Sequence, residues 1–268
     1  MTISDCIIIK RFFGIKSRIY IVYMKKERIL AMKKTIGIIF ADPMEYAPFE
    51  KATEKENCTH ELRFSNESFS FLKERNGREI EIIAVKSGAG KSNAASATAF
   101  LIGCDKADII MNAGLSGAVS NCRRGDMIVG EKFVECDFDL TSIGYKPAQK
   151  PDGQKYIYSA DETLVKLAKM SGISSGNFGS GDLFLTDKEK KDYFKKEFSL
   201  TAFDMETGAI AAVCDKCNIP FLSVRKMSDD ADDTAYSSYK EMNEAQEECL
   251  SDLLLNVIDR VFDEDSLW

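Results

Sequence analysis

Three short apolar runs constrain the fold of this 268-residue chain more than any other feature: Thr35 to Ala41 (TIGIIFA), Asp108 to Ala113 (DIIMNA) and Phe221 to Met227 (FLSVRKM). The first two are short, apolar runs that read as buried strands, and the third, with Ser223, Arg225 and Lys226 in it, reads as a strand as well. Helical stretches lie between them. Asp42-Pro43 opens a helix near Met44, Ser92 to Cys104 is alanine-rich, and Thr207 to Cys217 is closed by Asn218 and Pro220. This β-α-β alternation is interrupted by Ser68 to Arg75 and Arg78 to Val85, two strand-like runs joined by Asn76-Gly77, a dipeptide suited to a two-residue hairpin. Together these runs predict a single α/β domain with one mixed, largely parallel sheet flanked by helices.

The remainder of the chain fills in around that sheet. Asp126 to Asp139 alternates as a strand does, and Tyr145 to Gln154, with Pro147, Pro151 and Gly153, reads as a loop or flap. Asp161 to Met170 and Lys188 to Phe198 read as helices, with a Gly/Ser-rich turn at Ser174 to Asp182 between them. Thr201 to Met205 reads as a strand. A final helix from about Tyr239 to Phe262 places Met242, Ala245, Cys249, Leu253, Leu254, Val257, Ile258 and Val261 on one face. The first 31 residues mix apolar pairs and triplets with Lys10, Arg11, Lys16 and Arg18. They match neither a membrane span nor a secretory signal and are expected to be a dispensable extension, with the domain running from Met32 to Trp268.

A formal net charge of −7 argues against nucleic acid or an anionic membrane as partner, since both require a cationic face. The eight cysteines are scattered through expected helices and strands, which fits a reducing cytoplasm rather than a disulfide framework. Cys214 and Cys217 have C-x-x-C spacing but no second pair or nearby histidine to complete a zinc site, so no metal is expected. His60, the only histidine, stands far from other reactive groups, so a histidine-based triad is excluded.

In open α/β sheets ligands bind at the carboxyl ends of strands. Reading off the residues that follow each expected strand collects Glu45, then Ser87-Gly88-Ala89-Gly90, then Gly114-Leu115-Ser116-Gly117, then Met205-Glu206 and Ser228-Asp229. Ser87 to Ser92 looks like the end of a phosphate loop, but Val85 stands where that motif needs glycine. These glycines then serve to bring backbone close to an uncharged ligand.

Taken with Ile36-Gly37-Ile38-Ile39, Lys86 to Lys91, Asn112-Ala113-Gly114, Arg124-Gly125-Asp126, Ser180-Gly181-Asp182 with Phe184, Asp204-Met205-Glu206 and Val224-Arg225, the set resembles the 5′-methylthioadenosine/S-adenosylhomocysteine nucleosidases of the nucleoside phosphorylase superfamily, over residues 34 to about 262. The resemblance implies a nucleoside phosphorylase-like fold, no cofactor, and hydrolysis of an adenine thio-nucleoside by a homodimer. It implies that Glu45 deprotonates the attacking water, that Glu206 binds the ribose hydroxyls and that Asp229 protonates N7 of the leaving adenine. Phe184 would stack on the purine and the Leu185 backbone would read its edge, while Ser87, Ala89, Gly90, Met205, Arg225 and Ser228 complete the site. Ile143 and Tyr239 are candidates for the alkylthio end, which a second subunit covers in the family. Two departures stand out: Asp204 replaces a usual glutamate, and Leu115-Ser116-Gly117-Ala118 replaces a more common Ser-Ala-Gly-Gly. A phosphorylase of the same fold would need arginine near the first strand to hold phosphate, where this chain has Asp42-Pro43-Met44-Glu45.

Overall fold

A computed structural model describes residues 32–232, 235–244 and 249–268. The expectation for residues 1–31 lies outside them. Ten strands build one sheet: β1 (Met32–Phe40), β2 (Thr59–Arg63), β3 (Asn66–Arg75), β4 (Arg78–Lys86), β5 (Ile109–Ala118), β6 (Met127–Glu135), β7 (Ile157–Ser159), β8 (Ser174–Ser180), β9 (Ala202–Asp204) and β10 (Phe221–Asp229). Seven helices accompany them: α1 (Pro43–Ala52), α2 (Lys91–Gly103), α3 (Glu162–Lys169), α4 (Lys188–Phe198), α5 (Thr207–Cys217), α6 (Ala235–Glu244) and α7 (Cys249–Val261).

The centre of the sheet is parallel, β4–β1–β5–β10, and these are the continuously apolar strands. One face packs on α1, α3 and α7 through residues such as Ile38, Phe49, Met111, Val224 and Val257. The other packs on α2 and α5 through Ile39, Val85, Ile110, Leu101 and Ile210. Antiparallel pairs flank this centre: β3 with β4 on one side and β6 with β10 on the other. Beyond β6 the order runs β8, then β9, and β9 returns to pair with the end of β5. Strands β5, β10, β6, β8 and β9 therefore close into a ring, and the site lies at its rim.

Most expected elements appear. Asn76 and Gly77 both take positive φ, 54° and 78°, as the hairpin between β3 and β4 requires. Helix α5 ends at Asn218, which caps it in the left-handed region. Three expectations are corrected. The segment from Ser174 is strand β8, not a turn: its glycines are sites of close packing, since a Cβ at Gly176 would strike Thr201 and one at Gly179 would strike Leu200 and Cys136. Strand β5 does not stop at Ala113 but continues through Gly114 and Gly117 to Ala118, because β10 and β9 pair with that extension. Ser228 and Asp229 likewise belong to β10, whose register shifts between Met227 and Asp229. The final helix is described as α6 and α7; Leu253, Leu254, Val257, Ile258 and Val261 of α7 are buried as the periodicity demands, whereas Met242 and Ala245 fall outside the described side chains.

Candidate active site

At the carboxyl ends of β1, β5, β9 and β10 lies a cavity of about 430 Å³, and Glu45, Glu206 and Asp229 all line it. Glu45 stands in the first turn of α1. Asp42 caps that helix through its contact with the Met44 amide (2.7 Å), and Glu45 Oε2 accepts from the Ala41 amide (3.0 Å), which fixes the carboxylate against its own helix start. Its other oxygen accepts from the Leu115 amide of β5 at 2.7 Å. Gly114 beside it must be glycine, because a Cβ there would collide with the Glu45 carboxylate and the Arg225 guanidinium.

Glu206, 4% exposed, precedes α5. The amide of Gly90 donates to its Oε1 (2.9 Å), and Arg225 Nη2 lies 3.4 Å from its Oε2. Gly90 reaches that position with φ of 95°, a conformation glycine adopts without strain. Arg225 has no exposed surface and is surrounded by acceptors: Asn112 Oδ1 at 2.8 Å, the Leu115 carbonyl at 3.2 Å, and Asp204 Oδ2 at 3.4 Å from its Nε. Asp204 in turn accepts at Oδ1 from the Ser180 hydroxyl (2.7 Å) and from the amides of Glu206 and Thr207 (2.9 Å each), and at Oδ2 from the Thr207 hydroxyl. The aspartate that departs from the usual glutamate is thus the residue that ties the start of α5 to β8 and β10.

Charge balance sets the protonation of this floor. Three carboxylates, Asp204, Glu206 and Glu45, face one guanidinium. Removal from water disfavours ionisation of Glu45, the Arg225 charge only partly restores it, and repulsion from Glu206 adds to the effect, so its carboxyl is pushed up to about 7. Burial raises Glu206 as well, against the pull of Arg225. Burial works against the charge of Arg225, but Asp204, Glu206 and Glu45 more than compensate and keep it ionised.

Asp229, 3% exposed, is held at the end of β10 by the Ser228 hydroxyl (2.6 Å) and the Ala231 amide (2.8 Å), and burial raises its carboxyl above the ordinary range. Above it, Phe184 and Tyr239 meet edge to face with centroids 5.7 Å apart, and Leu183, Leu185, Met205 and Tyr236 complete an apolar wall.

The structure places Ala89, Phe184, Leu185, Met205, Ser228 and Tyr239 at the cavity, and Gly90 and Arg225 reach it through Glu206. Two candidates lie outside this chain's cavity wall. Ser87 is spent on structure: its hydroxyl is directed to the Phe40 and Gly88 carbonyls, joining the ends of β1 and β4, and it does not line the cavity. Ile143 is 68% exposed and lies outside the cavity wall. The lysine of the phosphate-loop look-alike also turns away. Lys91 Nζ pairs with Asp137 (2.6 Å), and the Lys91 amide donates to Asp182 (2.8 Å), which latches the glycine loop to the loop that carries Phe184. Sequence reasoning missed Leu183, Phe203 and Tyr236 as cavity residues. The strand-end rule reached Leu115 and Ser116, as members of a turn.

The phosphorylase superfamily matches residues 35–259 of this chain, and the fold is that of this class. The chain is 33% identical over 187 residues to the 5′-methylthioadenosine/S-adenosylhomocysteine nucleosidase of Geobacillus sp. (strain WCH70), covering 66% of this chain and 80% of that protein. Among solved structures, the S-adenosylhomocysteine nucleosidase of Streptococcus pyogenes in complex with 5-methylthiotubericidin superimposes with a TM-score of 0.76 at 29% identity, covering 85% of this chain and 98% of that one. The futalosine hydrolase of Helicobacter pylori strain 26695 superimposes with a TM-score of 0.79 at 25% identity, covering 85% and 98%. The chain belongs to the 5′-methylthioadenosine/S-adenosylhomocysteine nucleosidase family.

Proposed function

We propose that this protein hydrolyses the N-glycosidic bond of 5′-methylthioadenosine and S-adenosylhomocysteine, releasing adenine and the corresponding thio-ribose sugar. The observation that carries this reading is the convergence of Glu45, Glu206 and Asp229 on a cavity whose described lining holds no lysine or arginine. Cleavage passes through a cationic sugar, so carboxylates around C1′ stabilise charge that develops only in the transition state. The same negative field repels a phosphate dianion, and Arg225, beneath it, is committed to Asp204 and Glu206.

In this reading Glu45 takes a proton from water as the water oxygen bonds to C1′. A base titrating near 7 is ionised often enough to act at neutral pH and basic enough to accept the proton. Glu206, oriented by Gly90 and Arg225, accepts hydrogen bonds from the ribose hydroxyls. Asp229 delivers a proton to N7, so that the departing base leaves neutral as the C1′–N9 electron pair returns to it; its raised pKa means it holds that proton more often than an ordinary aspartate does. Phe184 stacks on the purine, and Ser228 keeps the Asp229 carboxyl in place. A homodimer whose second copy brings Ile143 to the open end would cover the alkylthio group, and residues 1–31 would be dispensable for turnover.

The experiment is adenine release in phosphate-free buffer from methylthioadenosine, adenosylhomocysteine, 5′-deoxyadenosine and a futalosine-type nucleoside, run side by side. Release from the first two is expected, with a rate unchanged by added phosphate. No release from either, or a requirement for phosphate, would refute the assignment.

A further inference from the structure

Lys91, Asp137 and Asp182 close a ring of contacts beside the cavity, and none of the three lines it. Lys91 Nζ lies 2.6 Å from Asp137 Oδ1, Asp137 Oδ2 accepts from the Asp182 amide (2.9 Å), and Asp182 Oδ1 accepts from the Lys91 amide (2.8 Å). The ring joins three segments: the start of α2, the chain just past β6, and the loop after β8. Lys91 opens α2, whose first amides need acceptors, and Gly90 before it has no side chain to supply one. Asp182 supplies it from another loop and lies against Gly90, since a Cβ there would come 3.1 Å from Asp182 Oδ1. Burial works against the charge of Lys91, but Asp137, Glu135 and Asp182 outweigh it, so the cation stays to hold the ring. Two neighbours of the ring do reach the site. The Gly90 amide donates to Glu206 Oε1 (2.9 Å), and Phe184, two residues past Asp182, stands in the cavity wall.

We propose that Asp182 is a positioning residue: by holding the Lys91 amide it keeps the ribose-binding Glu206 and the purine-stacking Phe184 in one register, and so sets the rate of glycosidic cleavage without touching the substrate. The inference rests on the hydrolase reading above, in which the breaking C1′–N9 bond joins the sugar held by Glu206 to the base stacked on Phe184. Neither contact alone fixes the angle between sugar and base. A step that depends on this alignment loses rate steeply when its supports shift by about an ångström, whereas binding of the base alone needs only its own half of the site.

The test compares the natural protein with Asp182→Ala and Asp182→Asn, by steady-state adenine release from methylthioadenosine and adenosylhomocysteine, calorimetric titration of adenine, and thermal melting. Asp182→Ala is expected to lower kcat about tenfold for both nucleosides alike, because sugar–base alignment does not depend on the 5′ substituent, while its affinity for adenine stays within about twofold. Asp182→Asn keeps an oxygen that accepts from the Lys91 amide and should restore kcat to within about threefold of the natural value. A folded Asp182→Ala with natural kcat, whatever its melting temperature, would overturn the proposal. So would an adenine affinity that falls as far as kcat does, or an asparagine variant no better than alanine. Should Asp182→Ala fold poorly, Lys91→Met, which takes the cation out of the ring, must lower kcat at constant adenine affinity. A natural protein that releases no adenine without phosphate sinks both readings, whereas normal turnover with an unaffected Asp182→Ala sinks only this one.

Discussion

The floor and the mouth of the cavity are built on opposite principles. At the floor, Glu206, Arg225 and Asp204 have almost no exposure, and each is held by at least two partners from different strands or loops. At the mouth, Phe184 is 44% exposed and meets Tyr239 edge to face, and Tyr236 is 70% exposed. Over-determined groups can keep an unfavourable charge arrangement that a mobile group would relax away, so the floor is suited to holding carboxylates in strained protonation states. An apolar, partly open wall tolerates variation in what it touches. On the proposed function, bond cleavage is assigned to the floor, and the choice of 5′ substituent to the mouth and whatever covers it.

Substitutions in the floor should break the chemistry. Glu206→Gln and Asp229→Asn keep size and should keep the fold, yet each is expected to lower kcat at least about a hundredfold in adenine-release assays. Near-natural turnover of either variant would remove that residue from the mechanism.

The floor also makes a pH prediction. Glu45 acts as a base only when ionised, and its carboxyl titrates near 7 instead of 4.5. On the acid side kcat/KM should therefore fall about tenfold per pH unit below about 7, and Glu45→Gln should abolish that limb with the activity. For stability the sign is reversed. A carboxyl whose folded pKa is raised favours the fold while protonated, so its contribution is complete below about 4.5 and is lost as pH rises through about 7. Denaturant melts of the natural protein and of Glu45→Gln across that window should converge at low pH and separate towards neutrality, with the variant the more stable. A limb near 4.5 would contradict this electrostatic account of the floor.

Changes at the mouth should be milder. Phe184→Ala removes one stacking face and is expected to raise KM for methylthioadenosine about tenfold while leaving kcat within a few-fold. A kcat loss comparable to that of Glu206→Gln would erase the distinction between the two regions.

What the sequence disclosed follows the same division. Strands β1 and β5 were legible because burial on both faces makes them apolar runs, and α1 and α5 because one end of each carries a capping signal. Strand β2 was missed since Thr-His-Glu-Leu-Arg at a solvent-exposed edge has no apolar alternation, and β8 because Gly176 and Gly179 make way for the side chains of Thr201 and Leu200. The three carboxylates could be found from their places near strand ends together with the family resemblance. The network of Asp204 could not, because its partners Ser180, Thr207 and Arg225 meet only when β8, β9 and β10 are assembled.

The central claim is that water, not phosphate, attacks C1′. Turnover of methylthioadenosine in ¹⁸O-labelled water, with phosphate present, tests it directly by mass spectrometry of the sugar product recovered at once. The account predicts free methylthioribose with the label at its anomeric oxygen, in excess of an unlabelled-sugar control incubated alongside for exchange. A methylthioribose 1-phosphate product would contradict it.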